Sequence, residues 1–470
     1  MKILRSFGVA LSVLLCSAST GAHAAGSSGG IDGSALGLAW VTPFAGLLLS
    51  IAVMPLAAPH FWHHHYGKVA AAWALAFALP FGWHFGWGTA WHEFIHVIVA
   101  DYVPFIVLLG ALYVAAGGVR FKGTLSGTPV ANTLFMLFGM LIASAVGTTG
   151  ACMLLIRPLL QANAWRARTS HTWVFFIFLV GNIGGALTPL GDPPLYIGFL
   201  QGIDFFWPMK NLAGPTALIA ALLLAIFYAL DVRALRQEEN TNRQVTVWGG
   251  IEGIRNIAVL AAIAGTVLIT GFWNSGVTLD VLGIPVTLDN IVRTGIIAGL
   301  GLLAWAWTDP QLRRYSEFRW GPIQEVAKLF AAIFICIVHA LAIIGAGENG
   351  VAAPLISLLN SSGQPKNETY FWITGLLSSL LDNAPTYLLF FNLAGGDAAI
   401  LQTTLAKTLG AISAGAVFMG ALTYIGNAPN FMVRSIVTAH GRRMPSFFGY
   451  MAWSGAFLLP LFVLVGLVFF

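Results

Sequence analysis

Apolar residues run through this chain in long blocks. A membrane-spanning helix needs about 20 of them. On that scale, blocks occur at roughly 37–58, 68–88, 100–118, 172–200, 213–231, 253–274, 290–308, 325–347, 403–432 and 446–468. Two further apolar stretches, near 129–165 and 369–400, are interrupted midway by small and polar residues. These predict re-entrant hairpins that enter and leave on one side, because irregular backbone is tolerated at membrane depth only where it is buried in protein or lines a cavity.

Two of the blocks carry the same motif. Gly185-Ala186-Leu187-Thr188-Pro189-Leu190-Gly191-Asp192-Pro193-Pro194 matches Gly420-Ala421-Leu422-Thr423-Tyr424-Ile425-Gly426-Asn427-Ala428-Pro429 at six of ten positions, 235 residues apart in a chain of 470. Glycine and proline break a helix there. A broken helix in corresponding places of two halves points to a transporter's binding site.

Basic residues set the orientation. With the first block starting outside, 17 of the 23 Lys and Arg fall in cytoplasmic loops, among them Arg166, Arg168, Arg233, Arg236, Arg313, Arg314, Arg442 and Arg443. This satisfies the positive-inside rule, and it does so only if the two interrupted stretches are hairpins. The expected fold is an all-α polytopic membrane protein with two inverted-topology repeats, each with a re-entrant hairpin and a broken transmembrane helix. The N-terminus adds a signal peptide: Lys2 and Arg5, a short apolar region from Val9 to Cys16, and Ala22-His23-Ala24 as cleavage site. The expected organisation is a signal peptide (1–24), an exported tail (25–36), a first repeat (37–231), a cytoplasmic linker (232–252) and a second repeat (253–470). The expected location is a bacterial inner membrane, with the processed N-terminus in the periplasm.

Composition agrees. The chain is 57% hydrophobic and 9% charged, with a mean hydropathy of +0.80, against about 25% charged residues in soluble domains. The net charge of +5 follows topology rather than forming a patch, so no nucleic-acid partner is implied. Three cysteines give no disulfide framework. Cys152 and Cys336 lie in apolar segments and read as packing residues.

Carboxylates inside a bilayer are costly and mark function by default. Asp192 sits in the first break and Asp382 in the second hairpin. If the hairpin tips meet the breaks, the cluster is Thr148, Thr149, Thr188, Asp192, Asp382, Asn383, Thr386, Thr423 and Asn427. These oxygen and amide groups suit hard cations, with unwound backbone carbonyls adding to them. The competing reading is structural: Asp192 and Asp382 each precede a helix restart and would cap it.

The stretch Gly184 to Asp192 and the stretch Ser378-Ser379-Leu380-Leu381-Asp382-Asn383-Ala384-Pro385 resemble the two signature regions of NhaD-type sodium/proton antiporters. These belong to the ion transporter superfamily, alongside arsenite, citrate and dicarboxylate carriers. The resemblance implies an inverted-repeat fold exchanging Na⁺ or Li⁺ for H⁺ near Asp192, Asp382 and Asn383, with no cofactor. Superfamily relatives imply a homodimer. The chain departs from NhaD-type sequences at Pro193-Pro194-Leu195, where those carry a threonine-rich stretch, and in its signal peptide. It also resembles a subgroup labelled as citrate carriers.

Two central carboxylates with little positive charge favour cation exchange. The alternative is a cation-coupled citrate or dicarboxylate transporter, whose neutral groups would include Asn182, Thr148, Thr149 and Asn427. Lys407 lies near the site's outer side and reads as snorkelling to the surface. A remote alternative is an intramembrane zinc protease, because His92-Glu93-Phe94-Ile95-His96 fits H-E-x-x-H. That segment is expected at an outer boundary, before the block 100–118, as part of an aromatic belt with Trp83, Trp87 and Trp91. His60, His63, His64 and His65 are expected in a short cytoplasmic loop, read first as a plain exposed polar loop, with metal binding or pH sensing as the functional alternative. His339 reads as a core histidine, Glu348 as a surface turn, and Arg157 as the mark of the first hairpin's return. There is no phosphate-binding G-x-x-x-x-G-K-[ST] loop, so nothing points to ATP.

Overall fold

A computed structural model describes residues 32–238, 247–273, 275–361 and 364–470. The signal peptide, most of the exported tail and the middle of the linker lie outside the described residues.

The chain is built from helices: α1 (Thr42–Ala57), α2 (Pro59–Phe85), α3 (Trp87–His96), α4 (Val103–Ala116), α5 (Pro129–Val146), α6 (Thr148–Ala162), α7 (Ser170–Leu179), α8 (Pro193–Leu200), α9 (Trp207–Arg236) and α10 (Ile254–Phe272). They continue as α11 (Leu288–Trp307), α12 (Pro310–Tyr315), α13 (Gly321–Gly345), α14 (Ala353–Leu359), α15 (Asn367–Leu380), α16 (Asn383–Leu393), α17 (Ala398–Gln402), α18 (Ala406–Met419), α19 (Ala428–Ala439) and α20 (Phe447–Phe469). Among the described residues, eight helical runs are long and apolar enough to cross a membrane. The β-structure consists of short antiparallel pairs, β1 (Arg120–Thr124) with β2 (Val247–Glu252) and β3 (Thr278–Val281) with β4 (Ile284–Thr287), and a further two-residue pair. The protein is an all-α polytopic membrane protein.

The interrupted stretches form helix–break–helix pairs. Thr128 caps α5 through Ala131 N and Pro129 begins it, where the missing proline N–H is no loss. The α5–α6 turn is Gly147, at φ +84. The second pair, α15 and α16, breaks at Leu381 and Asp382. The two motif copies are non-helical connections between α7 and α8 and between α18 and α19. Their glycines allow tight folding back: a Cβ on Gly191 would lie 2.1 Å from Gly185 O, and one on Gly426 would lie 2.7 Å from Gly420 O.

Two compact units divide the chain, and each draws on both sequence halves. Of the described residues, the first comprises those up to Ala111, Ala261–Ala306 and Arg319–Ala353; the second comprises Leu112–Leu260, Trp307–Phe318 and Pro354–Phe470. In the first unit α1, α2 and α13 pack together. His339 on α13 is buried there among Trp40, Phe77, Phe81 and Phe85, stacked on Trp40 at 4.7 Å. Val281, Ile284 and Val286 of the β3–β4 ribbon pack against Ile95, Val99 and Ile291.

The second unit holds both hairpins and both broken helices. The packing crosses between repeats: α8 lies against α16 of the other repeat's hairpin, and α19 against α6. The connections after the hairpins are also gripped reciprocally. Arg442 donates to Arg166 O (2.8 Å) and Ala164 O (2.5 Å), while Trp207, 235 residues earlier, donates from Nε1 to Gln402 O (3.0 Å). Behind the first hairpin, fully buried Asp231 of α9 pairs with Arg166 (2.6 Å) and His171 (2.8 Å) and accepts from Asn132 (2.9 Å).

Several local expectations need correction. His60 to His65 are not a loop; they form the first turns of α2, which starts at Pro59 rather than near 68. The imidazoles dilute hydropathy without breaking the helix, because Phe61, Trp62 and Tyr66 interleave with them and Trp62 is buried. The H-E-x-x-H segment is helical. It lies in one helical run, Trp87–Ala116, which continues through a π-turn at Val97–Tyr102. Arg157 is buried and reaches Glu317 at 3.5 Å. Glu348 does lie in a short turn, Gly347–Asn349. Cys152 and Cys336 are buried and free.

Candidate functional site

Four helices of the second unit begin at the breaks. Thr148 is the first residue of α6 and Asn383 the first of α16; Asp192 and Asn427 hold the N-cap positions of α8 and α19. These four side chains form one hydrogen-bonded cluster. Asp192 Oδ1 accepts from Thr148 Oγ1 (3.0 Å) and Asn427 Nδ2 (3.1 Å), and Asp192 Oδ2 accepts from Asn383 Nδ2 (2.6 Å). All four are at most 2% exposed. The 235-residue offset pairs Asp192 with Asn427 and Thr148 with Asn383, so each repeat supplies one member of each pair.

The geometry separates the two aspartates. The Asp382 carboxylate caps α16 by accepting from Ala384 N at 3.1 Å. Asp192 has the same position ahead of α8 but makes no side-chain capping bond. Its carboxylate turns to the other repeat instead. A cap explains Asp382 and does not explain Asp192.

The electrostatics suit an anion accompanied by a cation. Each helix start carries roughly +0.5 of an elementary charge, and four of them converge on Asp192. Hydrogen bonds to a charged group contribute about 1.5–3 kcal/mol each, so three of them offset much of a burial cost on the order of several kcal/mol. Among the described residues no Lys, Arg or His lies within ion-pair distance of Asp192. The buried Oδ1 of Asn383 has no protein partner. With Asp192 and the lone pairs of Thr148 Oγ1, it is an oxygen donor set that fits a hard cation.

The threonines of the motif do structural work. Thr188 Oγ1 donates to Ser144 O and Thr423 Oγ1 to Ser379 O (2.5 Å), each tying its break to the hairpin of its own repeat. Leu190 N and Ile425 N return bonds of 3.2 Å to those hydroxyls. Thr386 donates to Asp382 O (2.9 Å), within the α16 start. Thr149 lies beside Thr148, half-buried. Lys407 is exposed on the first turn of α18.

Behind Asn427 the network takes in Asn182, one of the neutral groups expected for a carboxylate carrier, and Asn430, to which the motifs did not lead. Asn427 Nδ2 also donates to Asn182 Oδ1 (3.1 Å), Asn182 donates to Asn430 Oδ1 (2.8 Å), and Asn430 donates to Gly420 O and Thr423 O (both 2.8 Å). Asn430 lies outside the ten-residue match and has leucine at the equivalent place, Leu195. The offset aligns Ser144 with Ser379, whose carbonyls Thr188 and Thr423 bind, but it sets Asn182 against Val417 and so leads to neither asparagine.

His92 and His96 are exposed and Glu93 is half-buried. Among the described residues no group of three His, Cys, Asp or Glu side chains is assembled to hold a metal.

The profile of a family described as "Putative citrate transport" matches residues 33–470. Curated relatives include uncharacterized transporters of Mycobacterium bovis and Mycobacterium tuberculosis. Each is 26% identical over 323 residues, covering 67% of this chain and 71% of the relative.

Proposed function

Because the chain belongs to this citrate-transport family, we propose that it carries citrate or a related carboxylate across the membrane, coupled to a cation bound at Asp192. The observation that carries the reading is the convergence of four helix starts on one buried carboxylate with, among the described residues, no basic side chain within ion-pair distance of it. Helix N-termini favour the negative groups of a substrate. Asp192 and Asn383 Oδ1 supply oxygen ligands for Na⁺ or, at Asp192, a site for H⁺. The cation neutralises Asp192 and lets an anionic substrate approach it. Each repeat contributes two of the four residues, so the site lies where the two repeats meet, as substrate and ion sites of inverted-repeat transporters do.

Labelled citrate uptake by proteoliposomes tests this, with a Na⁺ gradient, a proton gradient or neither imposed. Gradient-dependent uptake supports the reading. The second reading is Na⁺/H⁺ exchange, favoured by the absence of an ion-pair partner for Asp192 among the described residues. It predicts proton movement on adding Na⁺ or Li⁺ without any organic solute. In either case we propose a bacterial inner membrane as the location, with the N-terminus in the periplasm.

A further inference from the structure

The histidines at the head of α2 are left unused by the transport reading. His60, His63 and His64 are exposed and occupy positions i, i+3 and i+4, one face of a helix. The imidazoles of His60 and His64 lie 4.6 Å apart between centroids, tilted by 38°, and His63 meets His64 at 5.4 Å. In a tetrahedral site, with Zn–N near 2.0–2.1 Å, two ligating nitrogens are about 3.3 Å apart. Rings at this separation reach that geometry with small side-chain rotations.

The ring nitrogens are also prepared. His64 Nδ1 lies 2.9 Å from His60 O, one helical turn back. A carbonyl can only accept, so His64 Nδ1 carries the proton and Nε2 presents its lone pair. This hydrogen bond from a ligating histidine's other nitrogen to a carbonyl is the usual outer-shell arrangement that fixes tautomer and ring orientation in metal sites. Across the helix-to-helix contact, Glu325 of α13 accepts from Trp62 and faces His63, adding negative potential beside the imidazoles. His65 points elsewhere: its Nδ1 is held by Phe61 O at 3.1 Å and its ring stacks on Phe61.

We propose that His60 and His64 form a two-nitrogen chelate for a divalent late transition metal (Zn²⁺, Ni²⁺ or Cu²⁺), with solvent completing the coordination. Imidazole donors select these ions over Mg²⁺ and Ca²⁺. The H-E-x-x-H pair also has i, i+4 spacing, but no comparable ring contact between His92 and His96 accompanies it.

The experiment is a Zn²⁺ titration of the full-length chain, free of any polyhistidine tag, by calorimetry in detergent. Cu²⁺ electron paramagnetic resonance then counts the bound nitrogens. One Zn²⁺ per chain is expected, with affinity at least about tenfold lower in His60→Ala and in His64→Ala, corresponding to about 1.4 kcal/mol. His65→Ala should bind as the wild type does, and Mg²⁺ should not compete. The Cu²⁺ spectrum should show at least two nitrogens and lose one in His64→Ala. All three positions are on the helix surface, and unchanged size-exclusion profiles verify folding. Zn²⁺ binding that survives in the His60→Ala/His64→Ala double variant overturns the proposal. Binding lost instead in His92→Ala/His96→Ala also overturns it, as does failure of the wild type to bind.

Discussion

Asp192 and Asn427 occupy the same place in the two repeats, 235 residues apart, and they touch: Asn427 Nδ2 donates to Asp192 Oδ1 at 3.1 Å. The contact places the carboxylate where the two repeats meet. An Asp–Asn pair, unlike Asp–Asp, leaves one charge and one permanent donor at that place. Such a site changes its charge by one when a single cation or proton arrives.

Asp192→Asn should therefore stop coupled uptake while leaving the fold intact. The amide preserves volume, and removing a buried charge costs little stability when no opposite charge is stranded. Loss of a charged interaction of about 3 kcal/mol corresponds to roughly a 100-fold fall in uptake at fixed gradients. The check is gradient-driven uptake alongside a thermal melt. Asp382→Asn should reduce uptake less, since its carboxylate serves as a cap, a role asparagine fills nearly as well.

Carboxylate titration also gives the sign of a pH effect. Protons compete with Na⁺ for Asp192, so if Na⁺ is the coupling ion, lowering pH should raise the Na⁺ concentration for half-maximal uptake. If H⁺ is the coupling ion, uptake should instead fall as pH rises and should not need Na⁺. Uptake measured over a grid of pH and Na⁺ concentration separates the two.

The glycines of the two breaks should tolerate substitution unequally. At Gly191 an added methyl would sit 2.1 Å from Gly185 O; at Gly426 it would sit 2.7 Å from Gly420 O. Both clashes are with backbone. Gly191→Ala should abolish accumulation of folded protein, and Gly426→Ala should lower it less. Fluorescence-detected size exclusion of tagged variants reads this directly.

Asp231 anchors the base of the first hairpin. Removing one partner of a buried pair costs about 3–5 kcal/mol because the other charge is stranded. Asp231→Ala should thus greatly reduce the yield of folded protein, leaving Arg166 buried and unpaired. The double variant Asp231→Leu/Arg166→Met should recover much of it, because no charge remains to be solvated. Yield and melting temperature in detergent are the readouts.

Much of the architecture was legible along the chain. Spans, hairpins and breaks depend on runs of apolar residues and on glycine and proline, which act within a few residues of themselves. Asp192 and Asn427 stood out because the same local constraint, a helix restart after a break, recurs at a fixed offset. The histidines of α2 misled for the converse reason: hydropathy registers their polarity, whereas the helix depends on Pro59, the interleaved aromatic residues and the burial of Trp62.

The sequence by itself determined that this is a duplicated, membrane-spanning chain with two broken helices and which residues lie at the breaks. Only the tertiary structure decided that Asp192 faces the opposite repeat while Asp382 caps its own helix, that Thr188 and Thr423 tie down hairpin carbonyls, and that Asn182 and Asn430 extend the cluster. The physical reason is range. Asn383 and Asp192 are 191 residues apart and Asn427 and Asp192 are 235 apart. Which donor meets which acceptor over that distance follows from how α8 packs on α16 and α19 on α6, and no local periodicity encodes that choice.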